Sequence, residues 1–258
     1  MDYLNENNPF AAQWLRNLIA AGHLPPGVVD ERSIEDVTPN DLHGFRHHHF
    51  FAGIGIWPLA LQRAGWGDEP VWTASCPCQP FSEAGQGAGF ADQRHLWPHL
   101  FHLVGVRRPA RILGEQVASK DAGPWVDLVH ADLEAVDYAF GCTAFPAAGV
   151  QSFTVRQRTY WTAHAGQQRR GRQAAPTCHA QPQAQRSADW TGGHRGMADL
   201  ASPAAEWIAC ADGWTRPIEP GLCAVVDEYP GRVEQLRAYG NALDAKAAQA
   251  FIECVMAT

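Results

Sequence analysis

The stretch His48-His49-Phe50-Phe51-Ala52-Gly53-Ile54-Gly55 decides the fold class. Its first five residues read as a strand, and the glycine pair turns that strand into a helix. Trp57, Ala60, Leu61 and Ala64 line one face of that helix, which stops at Gly65. A further strand is expected from Val71 to Ser75, opening into Cys76-Pro77-Cys78-Gln79-Pro80. The alternation continues outward. Upstream, Phe10-Ala11, Trp14-Leu15 and Leu18-Ile19 space a helix ending at Gly22, and Val28 to Ile34 reads as a strand. Downstream, Leu96, Leu100, Leu103 and Val104 share a helical face, and Arg111 to Val117 is strand-like. Pro124 opens a helix with Trp125, Leu128, Val129 and Leu133 inward; Tyr138 to Phe145 and Arg158 to Ala163 are two more strands. Such alternation predicts an α/β fold, a mostly parallel sheet with helices on both faces.

The 258 residues are 46% hydrophobic, enough for one large domain, and no apolar run is long enough to span a membrane. The start, Met1-Asp2-Tyr3-Leu4-Asn5-Glu6, lacks the charge and apolar run of an export signal, so a soluble, unexported protein is expected. Its seven cysteines then read as reduced thiols. A net charge of −7 taken alone argues against nucleic acid. Arg169, Arg170, Arg172, Arg186 and Arg195, facing only Asp189 and Asp199, argue the other way, so charge does not decide the partner. From His164 to about Ser202 the chain is Gln, Arg, Ala and Gly without periodicity, which reads as a loop-rich insertion. Leu243, Ala247, Phe251, Ile252 and Val255 restore a helix that docks back on the sheet.

Several small motifs carry chemistry. Gly53-Ile54-Gly55 lets a backbone approach a ligand at a helix N-terminus, or it is an ordinary strand-to-helix turn. Pro58 stands where a dinucleotide fingerprint needs its third glycine, which disfavours NAD or FAD. Cys78 lies at a strand's carboxyl end, where open sheets place ligands, and is a candidate nucleophile or a buried structural cysteine. Cys76, Cys78 and His47-His48-His49 lack the second ligand pair of a zinc site, so no metal is expected. Glu115 ends a strand as a possible acid, and Arg156 and Arg158 share one face of an extended segment.

In this order and spacing the pieces resemble the DNA cytosine-5 methyltransferase family, in a compact phage- or prophage-like form. Phe51-Ala52-Gly53-Ile54-Gly55 matches the family's S-adenosylmethionine loop and Pro77-Cys78-Gln79-Pro80-Phe81-Ser82 its nucleophile motif. Asp92-Gln93-Arg94-His95-Leu96 matches the segment after its mobile loop, Glu115-Gln116-Val117 its Glu-Asn-Val, and Arg156-x-Arg158 its arginine pair. Tyr239-Gly240-Asn241-Ala242 matches its closing motif. The family normally has two further cofactor segments after the glycine loop, but only 21 residues lie between Gly55 and Pro77. Tyr3 to Ala11, with Glu6, resembles the ribose-binding segment, and Val29 to Ile34 the adenine-contacting one. The expectation is a permuted chain with those two units moved ahead of the loop.

The resemblance implies a Rossmann-like sheet that binds S-adenosylmethionine and methylates C5 of cytosine in double-stranded DNA through a covalent Cys-C6 intermediate with base flipping. It implies Cys78, Glu115, Arg156 and Arg158 as catalytic residues. Glu6, Asn7, Ser33, Ile34, Phe51, Gly53, Ile54, Gly55, Pro77, Asn241 and Ala242 would bind the cofactor, with Asp30 or Ser33 beside the adenine. Gln79, Ser82, Gly85, Arg169, Arg170 and Arg172 would touch DNA. Residues 1–163 would form the catalytic domain, 164–232 the target-recognition region and 233–258 a returning segment. A monomer in the bacterial cytoplasm, engaging no membrane and serving DNA modification, is expected. Four departures stand out: Ile56 for glycine, which would crowd the methionine end, Gln116 for asparagine, Cys76 for proline, and Asp244-Ala245-Lys246 for an apolar-Pro continuation. The alternative is a catalytically silent relative that binds DNA through its arginine segment.

Overall fold

The computed structural model describes residues 1–77, 96–118, 122–150, 152, 154, 156–166, 206–209, 215–218, 238 and 240–257. Seven strands form one sheet: β1 (Asp2–Asn5), β2 (Gly27–Asp30), β3 (His47–Phe50), β4 (Val71–Ala74), β5 (Arg111–Val117), β6 (Tyr138–Pro146) and β7 (Gln157–Ala165). Their spatial order is β2-β1-β3-β4-β5-β7-β6. The first five run parallel, and β7 is antiparallel to both β5 and β6. The helices are α1 (Pro9–Ala20), α2 (Ile56–Ala64), α3 (Trp97–Arg107), α4 (Ala122–Ala135) and α5 (Ala245–Met256).

Local chemistry sets the boundaries. Asn8 accepts hydrogen bonds from the Phe10 and Ala11 amides, and Pro9 fills the first turn, so α1 begins there. Gly22 takes φ 74° just beyond its end. Glycines with positive φ bracket α2, Gly55 before it and Gly65 after it. β2 is shorter than the expected strand from Val28 to Ile34. Asp30 accepts bonds from the Arg32 amide and guanidinium, and Ser33 caps a 3₁₀ turn at Ile34–Asp36, which bends the chain out of the sheet. Elsewhere the expected elements occur with ends shifted by a few residues.

The parallel register assigns each helix to a face. Leu4, His49, Thr73 and Leu113 are register partners and point the same way. Leu4 packs with Leu15 of α1, and Leu113 packs with Trp57 and Leu61 of α2 and Ile252 of α5. On the other face Phe50, Trp72, Ile112 and Trp161 pack with Leu100 and Leu103 of α3 and with Trp125 and Val129 of α4. Ile34 and Leu42, in the 3₁₀ turns between β2 and β3, join that second face.

A topological anomaly follows. The connections β3-α2-β4 and β4-α3-β5 both step one strand in the same direction, yet α2 and α3 lie on opposite faces. The two crossovers therefore have opposite hands. β1-α1-β2 steps the other way across the α2 face, so it shares the hand of β4-α3-β5. About 98% of parallel crossovers are right-handed, which makes β3-α2-β4 the left-handed one. Counted from β3, then β1, β2, β4 and β5, the spatial order reads 3-2-1-4-5, the doubly wound arrangement.

The chain divides into two compact units, Met1–Ala180 with Glu234–Thr258, and Gln181–Val233. In the second, β8 (Glu206–Ala209) and β9 (Thr215–Ile218) pair antiparallel. Cys76 and Cys254 carry thiols, whereas Cys142 on β6 is disulfide-bonded, which corrects the expectation of reduced thiols throughout. Among the described residues no helix is long and apolar enough to cross a membrane.

Candidate active site

The carboxyl ends of β1, β3, β4 and β5 converge on one edge of the sheet. Phe51, Gly53 and Gly55 all have positive φ, so the turn after β3 coils tightly. Gly55 suits its place: at φ 82° any side chain would be strained, and a Cβ would also crowd Leu24 at 2.6 Å and Leu15 at 2.9 Å. Among the described residues a Cβ added at Gly53 would meet nothing within 4 Å, so with respect to them this turn has an open side. The Gly53 amide donates to Glu6 Oε2 at 2.7 Å, and the Asn8 amide donates to Glu6 Oε1 at 2.9 Å. Glu6, Asn7 and the glycine turn are thus brought together. Ser33 caps the turn that buries Ile34. Asp30 accepts from Tyr3 at 2.7 Å and is clamped by Arg32. Ile54 is buried.

The second cluster is ionic. Glu115 ends a buried run on β5, and Arg158 Nε meets its Oε1 at 2.7 Å across the antiparallel pair β5–β7. Gly114 precedes it because a Cβ there would overlap Trp161. Burial pushes the Glu115 carboxyl up to about 6, against the opposing pull of Arg158, Arg156 and a hydrogen bond from Ser75. Ser75 in turn accepts from Trp57 Nε1 at 3.0 Å. Arg156 donates from Nη2 to the Gly240 carbonyl at 2.7 Å, which ties the arginine pair to the segment carrying Asn241 and Ala242. Its Nε is buried with no hydrogen-bond partner among the described residues.

The departures from the family pattern have structural tasks. Gln116 is 2% exposed and donates from Nε2 to the Cys76 carbonyl at 3.2 Å, holding the backbone just before Pro77 and Cys78. Ile56 packs into the α2–α5 cluster. Asp244 caps α5 through the Ala247 amide and accepts from Ser152 and Thr154, which lead into Arg156. Sequence reasoning named Asp244 only as an oddity; its place three residues before an amide of the returning helix was the available cap signal. Cys78, Gln79, Ser82, Gly85, Arg169, Arg170 and Arg172 lie outside the described residues.

Parts of this chain are similar to known proteins. The family model for C-5 cytosine-specific DNA methylase matches residues 68–193. Type II methyltransferase M.HhaI of Haemophilus parahaemolyticus is 25% identical over 165 aligned positions, covering 48% of this chain and 50% of that protein. Among solved structures, a DNMT2 mutant of Spodoptera frugiperda matches 64% of this chain and 50% of its own, at 16% identity and a TM-score of 0.37. The S. pombe Dnmt2 methyltransferase matches 64% and 51%, at 15% identity and 0.39. The chain spans about half the length of these relatives. The stretch matched by that family model contains Cys78, Glu115, Arg156 and Arg158.

Proposed function

We propose that this protein methylates C5 of cytosine in double-stranded DNA, using S-adenosylmethionine as methyl donor. The observation that carries the reading is Glu115: a buried carboxyl with a raised pKa, paired with Arg158 and coupled through its neighbour Gln116 to the backbone that leads into Cys78.

Cytosine C5 is a weak nucleophile and must first be activated. The Cys78 thiolate attacks C6 while Glu115 hydrogen-bonds or protonates N3, and the ring becomes enamine-like. When bound, the cofactor supplies an electrophilic methyl group on a sulfonium. A base then removes the C5 proton, and the electrons of that bond expel Cys78. Arg158 holds Glu115 in place, and Arg156 fixes the same wall to Gly240. The target base lies inside the duplex, so it is flipped out at a cost of a few kcal/mol. Residues 164–232, with Arg169, Arg170 and Arg172, together with Gln79, Ser82 and Gly85, contact the DNA in this reading.

The cofactor site fits the residues present. Gly53 offers an open side, Gly55 a tight turn, and Glu6 a carboxylate already at that turn for the ribose hydroxyls. Ser33 and Ile34 serve the adenine side, and Phe51, Ile54, Pro77, Asn241 and Ala242 complete the wall. The same geometry supports a permuted chain. Glu6 reaches the loop from a strand that precedes it in sequence, and the left-handed β3-α2-β4 crossover is what remains when two intervening units move upstream. The protein acts as a monomer in a bacterial cytoplasm, where its product shields phage or prophage DNA from restriction.

The experiment combines methyl-labelled S-adenosylmethionine, mixed duplex DNA, and the protein beside Cys78→Ser. Label on cytosine C5 that falls at least about a thousandfold in the variant is expected. Cofactor and DNA binding without any label would identify a silent DNA-binding relative instead.

A further inference from the structure

At the amino ends of the strands, opposite the proposed catalytic edge, lies a second polar cluster that the methylation reading leaves unused. Asp2 on β1 stands beside His47 on β3, and His49 lies two residues further along the same face. His47 Nδ1 is 3.1 Å from Asp2 Oδ1, and His49 Nε2 is 3.6 Å from Asp2 Oδ2. One ligand atom from each of the three lies within 4.8 Å of the others. The side chains of Asp2 and His49 are 6% and 0% exposed, and that of His47 is 12% exposed, so it forms the rim. His48 points to the other face and bonds the Leu42 carbonyl, so it takes no part.

Two features distinguish this trio from an ordinary buried ion pair. First, Asp2 Oδ2 and His49 Nε2 face each other in the interior with no hydrogen-bond partner among the described residues, and 3.6 Å is too long for a bond between them. Buried polar atoms left in that state are costly, and an ion between them would satisfy both. Second, His49 Nδ1 is 2.8 Å from Thr73 Oγ1 on β4. A ring that donates Nδ1–H to an oxygen presents its Nε2 lone pair outward, the second-shell arrangement that orients metal-ligating histidines. The spacing also suits a metal. Ligand atoms ~2.0–2.1 Å from a tetrahedral zinc lie ~3.3 Å apart, between the two separations observed here.

We propose that Asp2, His47 and His49 bind one divalent transition-metal ion of the zinc type, with Thr73 orienting His49 behind it. Two imidazoles and one carboxylate suit such an ion better than calcium or magnesium, which prefer all-oxygen shells. The ion would fasten β1 to β3. It would thereby fix the strand that delivers Glu6 against the strand that delivers the glycine turn, stabilising the register between them.

The test uses untagged, full-length protein stripped with chelator and titrated with Co²⁺, whose visible ligand-field absorption reports nitrogen-containing sites. One equivalent should bind, and Zn²⁺ should displace it and raise the thermal midpoint. In His47→Gln, chosen because its side chain sits at the rim, the spectrum and the thermal shift should both disappear. Thr73→Val should keep the site but weaken it by about 10–100-fold. Asp2→Asn provides a second ligand variant. No Co²⁺ spectrum in the wild type would overturn the proposal and leave the trio a buried ion pair. Equal binding by the wild type and both ligand variants would also overturn it, pointing to surface histidines.

Discussion

The two halves of the sheet carry different kinds of chemistry and are wired differently. In the half formed by β2, β1 and β3, the chain enters in the middle, steps outward and then returns past its own start. Its functional groups are held by main-chain contacts: Glu6 by two amides, Ser33 by a turn, the glycine loop by its own backbone. In the half formed by β4, β5, β7 and β6, the chain follows spatial order until the closing hairpin. There the functional groups are charges, Glu115 with Arg158 and beside them Arg156, on the sheet face that also carries Tyr160. A module held by strand pairing and backbone amides can change its place in the sequence without rebuilding its contacts. A buried ion pair spread over two antiparallel strands cannot. If the chain is permuted as proposed, the cofactor half is the one that could move.

If the halves divide the labour in this way, damage to each should register in a different measurement. The largest effect is expected from Arg158→Ala. It leaves Glu115 buried without its nearest countercharge, and losing one partner of a buried pair costs about 3–5 kcal/mol. Single-turnover methyl transfer should fall by about two to three orders of magnitude, while cofactor affinity by calorimetry stays within about twofold. A parallel collapse of both would erase the division.

Next in size is the pH dependence of stability. Glu115 has an ordinary pKa of 4.5, and in the folded protein burial raises it to about 6. Between those values the unfolded chain has released the proton that the folded chain still holds. The unfolded state therefore gains as pH rises, and Glu115 by itself withdraws about 2 kcal/mol of stability across that window. The buried histidines His48 and His49 contribute with the opposite sign, and Glu115→Gln removes only the Glu115 share of the slope. Urea unfolding of both proteins from pH 4.5 to 7 reads the difference; equal slopes would mean that Glu115 is not buried as described.

The cofactor half should answer more gently. Glu6→Gln keeps the shape but removes the charge offered to the ribose hydroxyls. Cofactor affinity should drop about tenfold, equivalent to about 1.4 kcal/mol, with the transfer rate at saturating cofactor nearly unchanged. Unaltered affinity would place the ribose elsewhere and remove the main support for a permuted N-terminus.

How far this contrast could be read in advance differs between the halves. The strand from Arg111 to Val117 and the helix ending at Gly65 are legible because periodicity, a glycine stop and an apolar run coincide. β2 is overextended in the sequence reading because Val28 to Ile34 has no breaker, whereas a side chain, Asp30 folding back on Arg32, ends the strand. The pairing of Glu115 with Arg158 spans 43 residues and depends on the register of β5 with β7, which no local pattern encodes. The face on which α2 lies is equally invisible locally. The right-handed preference alone would put it with α3, and only packing against α5 assigns it to the other side. The cluster of Asp2 with His47 and His49 is nonlocal in the same way, since the histidines share one strand while Asp2 lies on its neighbour.

The smallest expected effect falls where the returning C-terminal segment meets the catalytic half. Asp244 caps α5 and also holds Ser152 and Thr154, just upstream of Arg156, while Arg156 reaches back to Gly240. Asp244→Ala removes the cap, worth about 1 kcal/mol, and loosens the segment that aims the arginine. Asp244→Asn keeps an acceptor oxygen for the cap and the hydroxyls. Asp244→Ala should therefore lose about 1 kcal/mol in urea unfolding and several-fold in methyl transfer, and Asp244→Asn should recover most of both. If the asparagine restores stability but not transfer, the negative charge itself acts on the arginine pair. Asp244 would then belong to the electrostatics of the catalytic half rather than to the capping of its last helix.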